Sequence, residues 1–367
     1  APGVAPPPPP ATLPRKSGGR RVQFGIFDQN DRGPLPMAEH LEARLRLVAL
    51  YDALGFDRYH VSEHHATPLS ATPATGAWLG AVAQRTRRIR FGPLVYILPL
   101  RHPLQIAEEV ALLDQISGGR FELGVGRGIS PYELGYHGVS AAESPAMYRE
   151  ALDLLLMAMT QESVTFEGRW WRCEDVPVVL RPRQQPHPPL WYACATPEAA
   201  VWPARNAVNL VCNAPAPRVA EIVARYRAEW AEAGRPGGAL PCLGLSRAIV
   251  VADTTEAAMA AAQRGWRRYE ESFHRLWRKH GSAPVNARVG PDFAETQAAG
   301  MGFAGTPAGV RDALLAQVAT TGVNYVIARF AFGDLTEAES RRSAELFARE
   351  VMPALREHHR ASAAAAE

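Results

Sequence analysis

A (β/α)8 barrel is the fold class this sequence predicts, and three observations predict it. Short apolar runs alternate with longer helical stretches over most of the chain. The alternation gives eight strand-plus-helix units, which suit a closed barrel better than an open sheet. A length of 367 residues, 47% of them apolar, fits one barrel-sized domain and is too apolar for a disordered chain.

Residues 22–27 form the first strand-like run. A helix follows over Met37–Leu54, where Leu41, Leu45, Val48 and Tyr51 recur at helical spacing and Gly55 supplies a C-terminal cap. The second run is 58–62, with a helix at about 72–84. The third is 89–97, followed by a helix at 104–116 that Gly118 and Gly119 close. The fourth is 121–125, followed after a loop by a helix at about 145–159. The rhythm then breaks. Residues 164–180, with Gly168 between Phe166 and Trp170-Trp171, read as a β-hairpin insertion ending in a proline-rich segment at 182–189. The fifth run is 190–194, with a helix from Pro197. Asn209–Cys212 is the sixth, with a helix at about 217–233, and Leu243–Val251 is the seventh, with a helix from near Thr254. Residues 323–330 and 336–355 complete the eighth unit. The stretch 271–305, after the seventh strand, is aromatic and poorly periodic. It reads as a lid over the barrel mouth or as a surface excursion.

Residues 1–21 read as a flexible, proline-rich tail with Arg15, Lys16, Arg20, Arg21 and no acid, so they carry +4 of a net +3. The barrel domain is placed at 22–356, and 357–367 is expected to be a disordered C-terminal tail. With the tail removed the body is nearly neutral, which argues against nucleic-acid binding. Cys173, Cys194, Cys212 and Cys242 form no CxxC pair, so a reduced, cytoplasmic chain is expected. No apolar run has the roughly 18 residues that a membrane span requires.

Ser62-Glu63-His64-His65 closes the second run, at the barrel end where catalytic groups are presented. Neighbouring strand residues face opposite ways, so both histidines face inward only if the chain has already turned. One of them is a proton handler or hydrogen-bond donor, or a packed histidine bonded to a carbonyl. Gly124-Val125-Gly126-Arg127-Gly128 is not a dinucleotide fingerprint. It offers close backbone approach plus one guanidinium, which suits a phosphate or a flat ring, or else a solvated strand-end turn. Ala195-Thr196-Pro197-Glu198 reads equally as helix capping and as a phosphate-binding N-terminus.

Together these segments resemble the bacterial luciferase-like, flavin-dependent monooxygenase family. The matching phrases are Ser62-Glu63-His64-His65, Leu98-Pro99 with His102-Pro103, the segment 112–121, Gly124-Val125-Gly126-Arg127-Gly128 and, near the end, Arg342-Ser343 through Val351-Met352-Pro353. The resemblance implies a (β/α)8 barrel holding reduced FMN at its C-terminal mouth. That flavin is usually delivered by a separate NAD(P)H-dependent reductase, and it reacts with O2 to give a 4a-hydroperoxyflavin that oxygenates a small organic substrate. By motif position His64 matches the active-site histidine and Arg127 an arginine at the FMN phosphate. Leu94-Val95 falls where a non-proline cis peptide lies beneath the flavin. Thr196 matches the rest of the phosphate site, and Asn213 falls near the ring. Gly126 stands at a reactive-cysteine position, which is expected to enlarge the pocket. A homodimer is implied, paired through helices of the second and third units. A deazaflavin-dependent dehydrogenase and a non-catalytic flavin-binding protein are the alternatives on this fold.

Overall fold

The computed structural model describes residues 22–284 and 289–364; the basic tail read at 1–21 lies outside them. The described residues form twelve strands: β1 (Gln23–Asp28), β2 (Arg58–Val61), β3 (Arg90–Pro93), β4 (Tyr96–Ile97), β5 (Leu123–Gly126), β6 (Ser163–Glu167), β7 (Arg172–Pro177), β8 (Leu190–Ala193), β9 (Asn209–Cys212), β10 (Leu243–Val251), β11 (Gly302–Gly305) and β12 (Tyr325–Arg329). Ten of them form one parallel sheet in the order β3-β2-β1-β12-β10-β9-β8-β5-β4, with β11 also on β10. The ends of that order, β3 and β4, are two pieces of the single third strand that the sequence predicts. Phe91 N–H donates to Arg120 O at 3.1 Å and Glu122 N–H to Phe91 O at 2.8 Å, which joins them to the approach of β5. The sheet therefore closes on itself.

Parallel strands buried on both faces read as continuous apolar runs, which is why these were visible in the sequence. Val326, Ala328 and Phe330 face outward into the main core, with Leu155 of α5 (Ser144–Thr160) and Leu314 of α10 (Pro307–Thr321). Tyr325 and Ile327 face the interior with Leu94, Trp191 and Val211.

The N-terminal end of the interior is polar and mostly paired, with His60 Nδ1 alone of its ring nitrogens lacking a hydrogen-bond partner among the described residues. Glu122 accepts from Arg58 Nε at 2.9 Å, from Trp191 Nε1 at 2.5 Å and from Arg90. Burial alone raises the Glu122 carboxyl, but Arg58 and Arg90 override it and hold the group at about 2. His60 Nε2 meets Tyr325 Oη at 3.0 Å, and burial pushes this imidazole down to about 3.

The structure departs from the sequence reading in three places. First, much of 271–305 is regular. The helix after β10, α8 (Thr255–Lys279), continues to Lys279; a short helix at Phe293–Ala298 and β11 follow, then α10. Phe293 is fully buried and meets Trp266 edge-on at 5.6 Å, so this segment packs on the barrel. Residues 285–288 lie outside the described residues. Second, the final helix is interrupted by a π-turn at Phe347–Val351, just before Pro353, whose missing N–H breaks the regular ladder. Third, that helix resumes over Met352–Ala364, so 357–364 is helical where a disordered tail was expected; alanine-rich sequence favours this. Between the fourth and fifth units, β6 and β7 pair antiparallel as a separate two-stranded sheet.

Candidate active site

The sequence leaves β2 through Ser62-Glu63-His64-His65, and the chain turns there, so the two histidines part. His65 Nε2 bonds Glu63 Oε1 at 2.8 Å. The other oxygen of that carboxylate accepts Ile97 N–H at 3.1 Å. This contact belongs to the split strand. Leu94 N–H still donates to Val61 O of β2 at 2.7 Å, whereas Tyr96 and Ile97 pair with Val125 and Gly126 of β5. Between them the Leu94-Val95 peptide is cis. Glu63 therefore bonds the backbone amide of Ile97 across the changeover.

His64 takes a different partner. Its Nδ1 lies 3.2 Å from Glu133 Oε1, while Glu133 Oε2 accepts the backbone N–H of His65 at 2.8 Å. Glu133 belongs to α4 (Pro131–Tyr136), where Ser130 Oγ accepts Glu133 N–H at 3.3 Å. The carboxylate is nearly closed off, with 5% of its side chain exposed against 14% for His64. A carboxylate only accepts, so this bond makes Nδ1 the N–H nitrogen of the neutral ring and leaves Nε2 as an acceptor. Among the described residues nothing bonds His64 Nε2. His137 backs the cluster, its ring 4.6 Å from that of His65 and its Nδ1 2.9 Å from Glu133 O.

The remaining residues singled out from the sequence lie at or just beyond the C-terminal ends of neighbouring strands. Arg127 follows β5, Thr196 follows β8, Asn213 follows β9, and all three are exposed. Arg127 lies close enough to Tyr192 to oppose the upward push that burial gives that phenol. Its guanidinium has no ion-pair partner among the described residues. Thr196 acts as a cap, accepting from Ala199 N–H at 3.4 Å. The Glu198 backbone amide and the Thr196 hydroxyl hold the Glu198 carboxyl below the usual carboxylate range, so an anion is already seated at that turn.

One expectation is overturned. A Cβ on Gly126 would lie 2.4 Å from Val95 Cγ2, and one on Gly124 would lie 2.2 Å from Pro93 O. Glycine at these positions lets β5 approach the split strand; it does not enlarge the pocket. Glu133 was not anticipated. Its signal was Ser130-Pro131-Tyr132-Glu133, an N-cap followed three residues later by an acid. Here the acid leaves the cap and goes to the histidines.

The site is a histidine–carboxylate pair on the C-terminal rim of a parallel barrel, with an open imidazole nitrogen and an unpaired guanidinium two strands away. Such a rim can handle a proton at the imidazole and attract an anion at the guanidinium. Comparison with known proteins gives the family. Residues 22–325 match the luciferase-like monooxygenase family. The chain is 40% identical over 321 residues to an uncharacterised protein of Sinorhizobium fredii, covering 88% of this chain and 94% of the relative. It is 31% identical over 284 residues to 4-hydroxyprotoasukamycin monooxygenase of Streptomyces nodosus subsp. asukaensis, covering 73% and 74%. The crystal structure of monooxygenase RslO1 from Streptomyces bottropensis superposes with a TM-score of 0.79 at 29% identity, covering 90% and 99%. Two others share the fold at 21% identity. One is the oxygenating constituent of 3,6-diketocamphane monooxygenase of Pseudomonas putida, in complex with FMN (TM-score 0.74; 91% and 98% covered). The other is the coenzyme F420-dependent tetrahydromethanopterin reductase of Methanopyrus kandleri (0.66; 91% and 99%). The chain belongs to the luciferase-like monooxygenase family and is an enzyme of the monooxygenase class.

Proposed function

We propose that this protein is an FMNH2-dependent monooxygenase that places one oxygen atom of O2 into an apolar or carbonyl-bearing small organic substrate. The observation that carries the reading is the His64–Glu133 pair, which orients an imidazole with Nε2 free at the barrel rim. The residues present fit a flavin. Arg127 is a free cation for the phosphate, Asn213 is an exposed amide at the next rim but one, and Ser62 Oγ is buried without a partner. Thr196 would join the phosphate site only by exchanging the Glu198 carboxylate for the phosphate. Leu94 and Val95 would form the apolar bed beneath the ring. When bound, reduced FMN supplies the oxygen-activating chemistry.

The chain's own part is positional. His64 Nε2 accepts or returns a proton at the reacting centre, Glu133 fixes its tautomer, and the packed 293–305 segment helps keep water from the interior. The domain is taken from residue 22 through the final helix, which runs past the expected boundary at 356. A separate reductase drawing on NAD(P)H delivers the flavin in a cytoplasmic setting; no helix among the described residues is long and apolar enough to cross a membrane. Leu112 and Ile116 expose 51% and 44% of their surface on α3 (Pro103–Ile116), which supports pairing of two copies there.

A deazaflavin-dependent dehydrogenase is the second reading, favoured by the F420-dependent enzyme that shares the fold. Spectral titration with FMN, reduced FMN and a deazaflavin separates them. Preferential binding of reduced FMN supports the monooxygenase, and preferential binding of the deazaflavin contradicts it. Tight binding of oxidised flavin without substrate-dependent O2 uptake would point instead to a non-catalytic flavin-binding protein.

A further inference from the structure

Charge taken out of water is costly, so buried arginines in a folded chain are normally paired. Three here are. Arg44 meets Asp28 and Asp31, each at 3.3 Å. Arg58 meets Glu122, and Arg247 donates to Gln317 and to two backbone carbonyls. Arg329 is the exception. It ends β12 with 5% of its surface exposed. Its Nε is buried without a partner, and its guanidinium makes no ion pair or hydrogen bond among the described residues. Among the described residues its compensation is aromatic: the cation lies over Trp266 at 5.6 Å and Tyr269 at 5.2 Å, both on α8.

Strand alternation gives its direction. Arg329 shares a face with Tyr325 and Ile327, which pack inside the barrel against Leu94, Trp191 and Val211. It therefore points into the C-terminal end of the interior. Ser62, which follows His60 on the inward face of β2, brings a second buried polar atom without a partner to the same end. Phe27 of β1, between the two strands, joins the interior apolar cluster. Around the closed sheet β12 lies opposite β5, whose following residue is Arg127. A flavin with its phosphate at Arg127 would leave Arg329 on the far side of the mouth.

Given the monooxygenase reading above, we propose that Arg329 is the anion-binding residue of the substrate pocket, and that the substrate is an apolar molecule carrying a carboxylate. A guanidinium matches a carboxylate with two parallel N–H donors, and the ring wall of Trp266 and Tyr269 flanks the apolar body.

The test is calorimetric titration of the whole protein with benzoate and octanoate, and with benzamide and octanamide, with and without saturating FMN. At least one carboxylate is expected to bind about tenfold or more tighter than its own amide. Arg329→Met should erase that preference, Arg329→Lys should keep part of it, and FMN should not compete. The Lys variant keeps the test valid if the Met variant fails to fold. Equal affinity for acids and amides, no binding of either, or an unchanged preference in Arg329→Met overturns the assignment. Mutual exclusion of carboxylate and FMN overturns it too, by giving this guanidinium to the cofactor's phosphate. Carboxylate binding in a protein that incorporates no oxygen would leave the anion site standing and sink only the monooxygenase reading.

Discussion

Replacing Glu133 by glutamine should disable His64 without disturbing the barrel. The carboxylate has two fixed duties, one to His64 Nδ1 at 3.2 Å and one to the His65 backbone N–H at 2.8 Å. The amide N–H can only donate, so the single oxygen of glutamine must take it. The glutamine NH2 then faces His64 Nδ1 and forces the ring into the tautomer with its proton on Nε2. Two losses follow. The charge-assisted bond that supports a protonated imidazole is worth about 1.5–3 kcal/mol, or about 10–150-fold in rate. The inverted tautomer adds to this, for a total of about 10²–10⁴ in the proton-transfer step. Single-turnover oxygenation with reduced FMN across a pH series reads the loss, with flavin affinity measured alongside. Glu133→Asp, which keeps the charge, should recover part of the rate. Turnover in Glu133→Gln within threefold of the parent protein, at every pH, would show that Glu133 does not set the His64 tautomer for the reaction.

Other outcomes follow from the same geometry. His64→Ala should leave flavin affinity within a few-fold and cut oxygenation by about 10²–10⁴, read by product yield per reduced flavin. Arg127→Ala should weaken FMN far more than riboflavin in paired fluorescence titrations; equal losses would exclude a phosphate contact. Gly126→Ala should cost about 1–3 kcal/mol in urea unfolding, because its Cβ would lie 2.4 Å from Val95 Cγ2, and Val95→Ala should relieve most of that cost. Stability should fall on acidification. His60 drops from 6.5 to about 3 on folding, so between those values the unfolded chain binds a proton that the native state refuses; Glu122, held at about 2, adds the same sign below its ordinary 4.5. Urea midpoints at pH 7, 5 and 4 check this, and His60→Gln should flatten the upper part of the slope.

The barrel was readable because parallel strands buried on both faces leave unbroken apolar runs, and because turn chemistry punctuates the helices. Gly55, in the left-handed region at φ 81°, caps its helix as its position suggested. What escaped was short or assembled from distant parts. β11 is Gly-Phe-Ala-Gly, four residues with no β-branched member, and it is a strand only because β10 extends far enough to pair with it. The third strand reads as continuous because residue types do not reveal a change of pairing partner at Leu94-Val95. His64 stood out through its motif, but Glu133 reaches it from 69 residues away. Arg329 passed unnoticed inside the apolar run 323–330, and only the packing reveals that it has no counter-ion among the described residues.

Incubation with reduced FMN, ¹⁸O2 and a panel of apolar ketones and alkanals, with and without a carboxylate, decides whether this protein inserts oxygen. One labelled oxygen atom is expected in the organic product, and the label should be lost in His64→Ala. Substrate oxidation with no label in the product, sustained by a deazaflavin in the absence of O2, would contradict oxygen insertion.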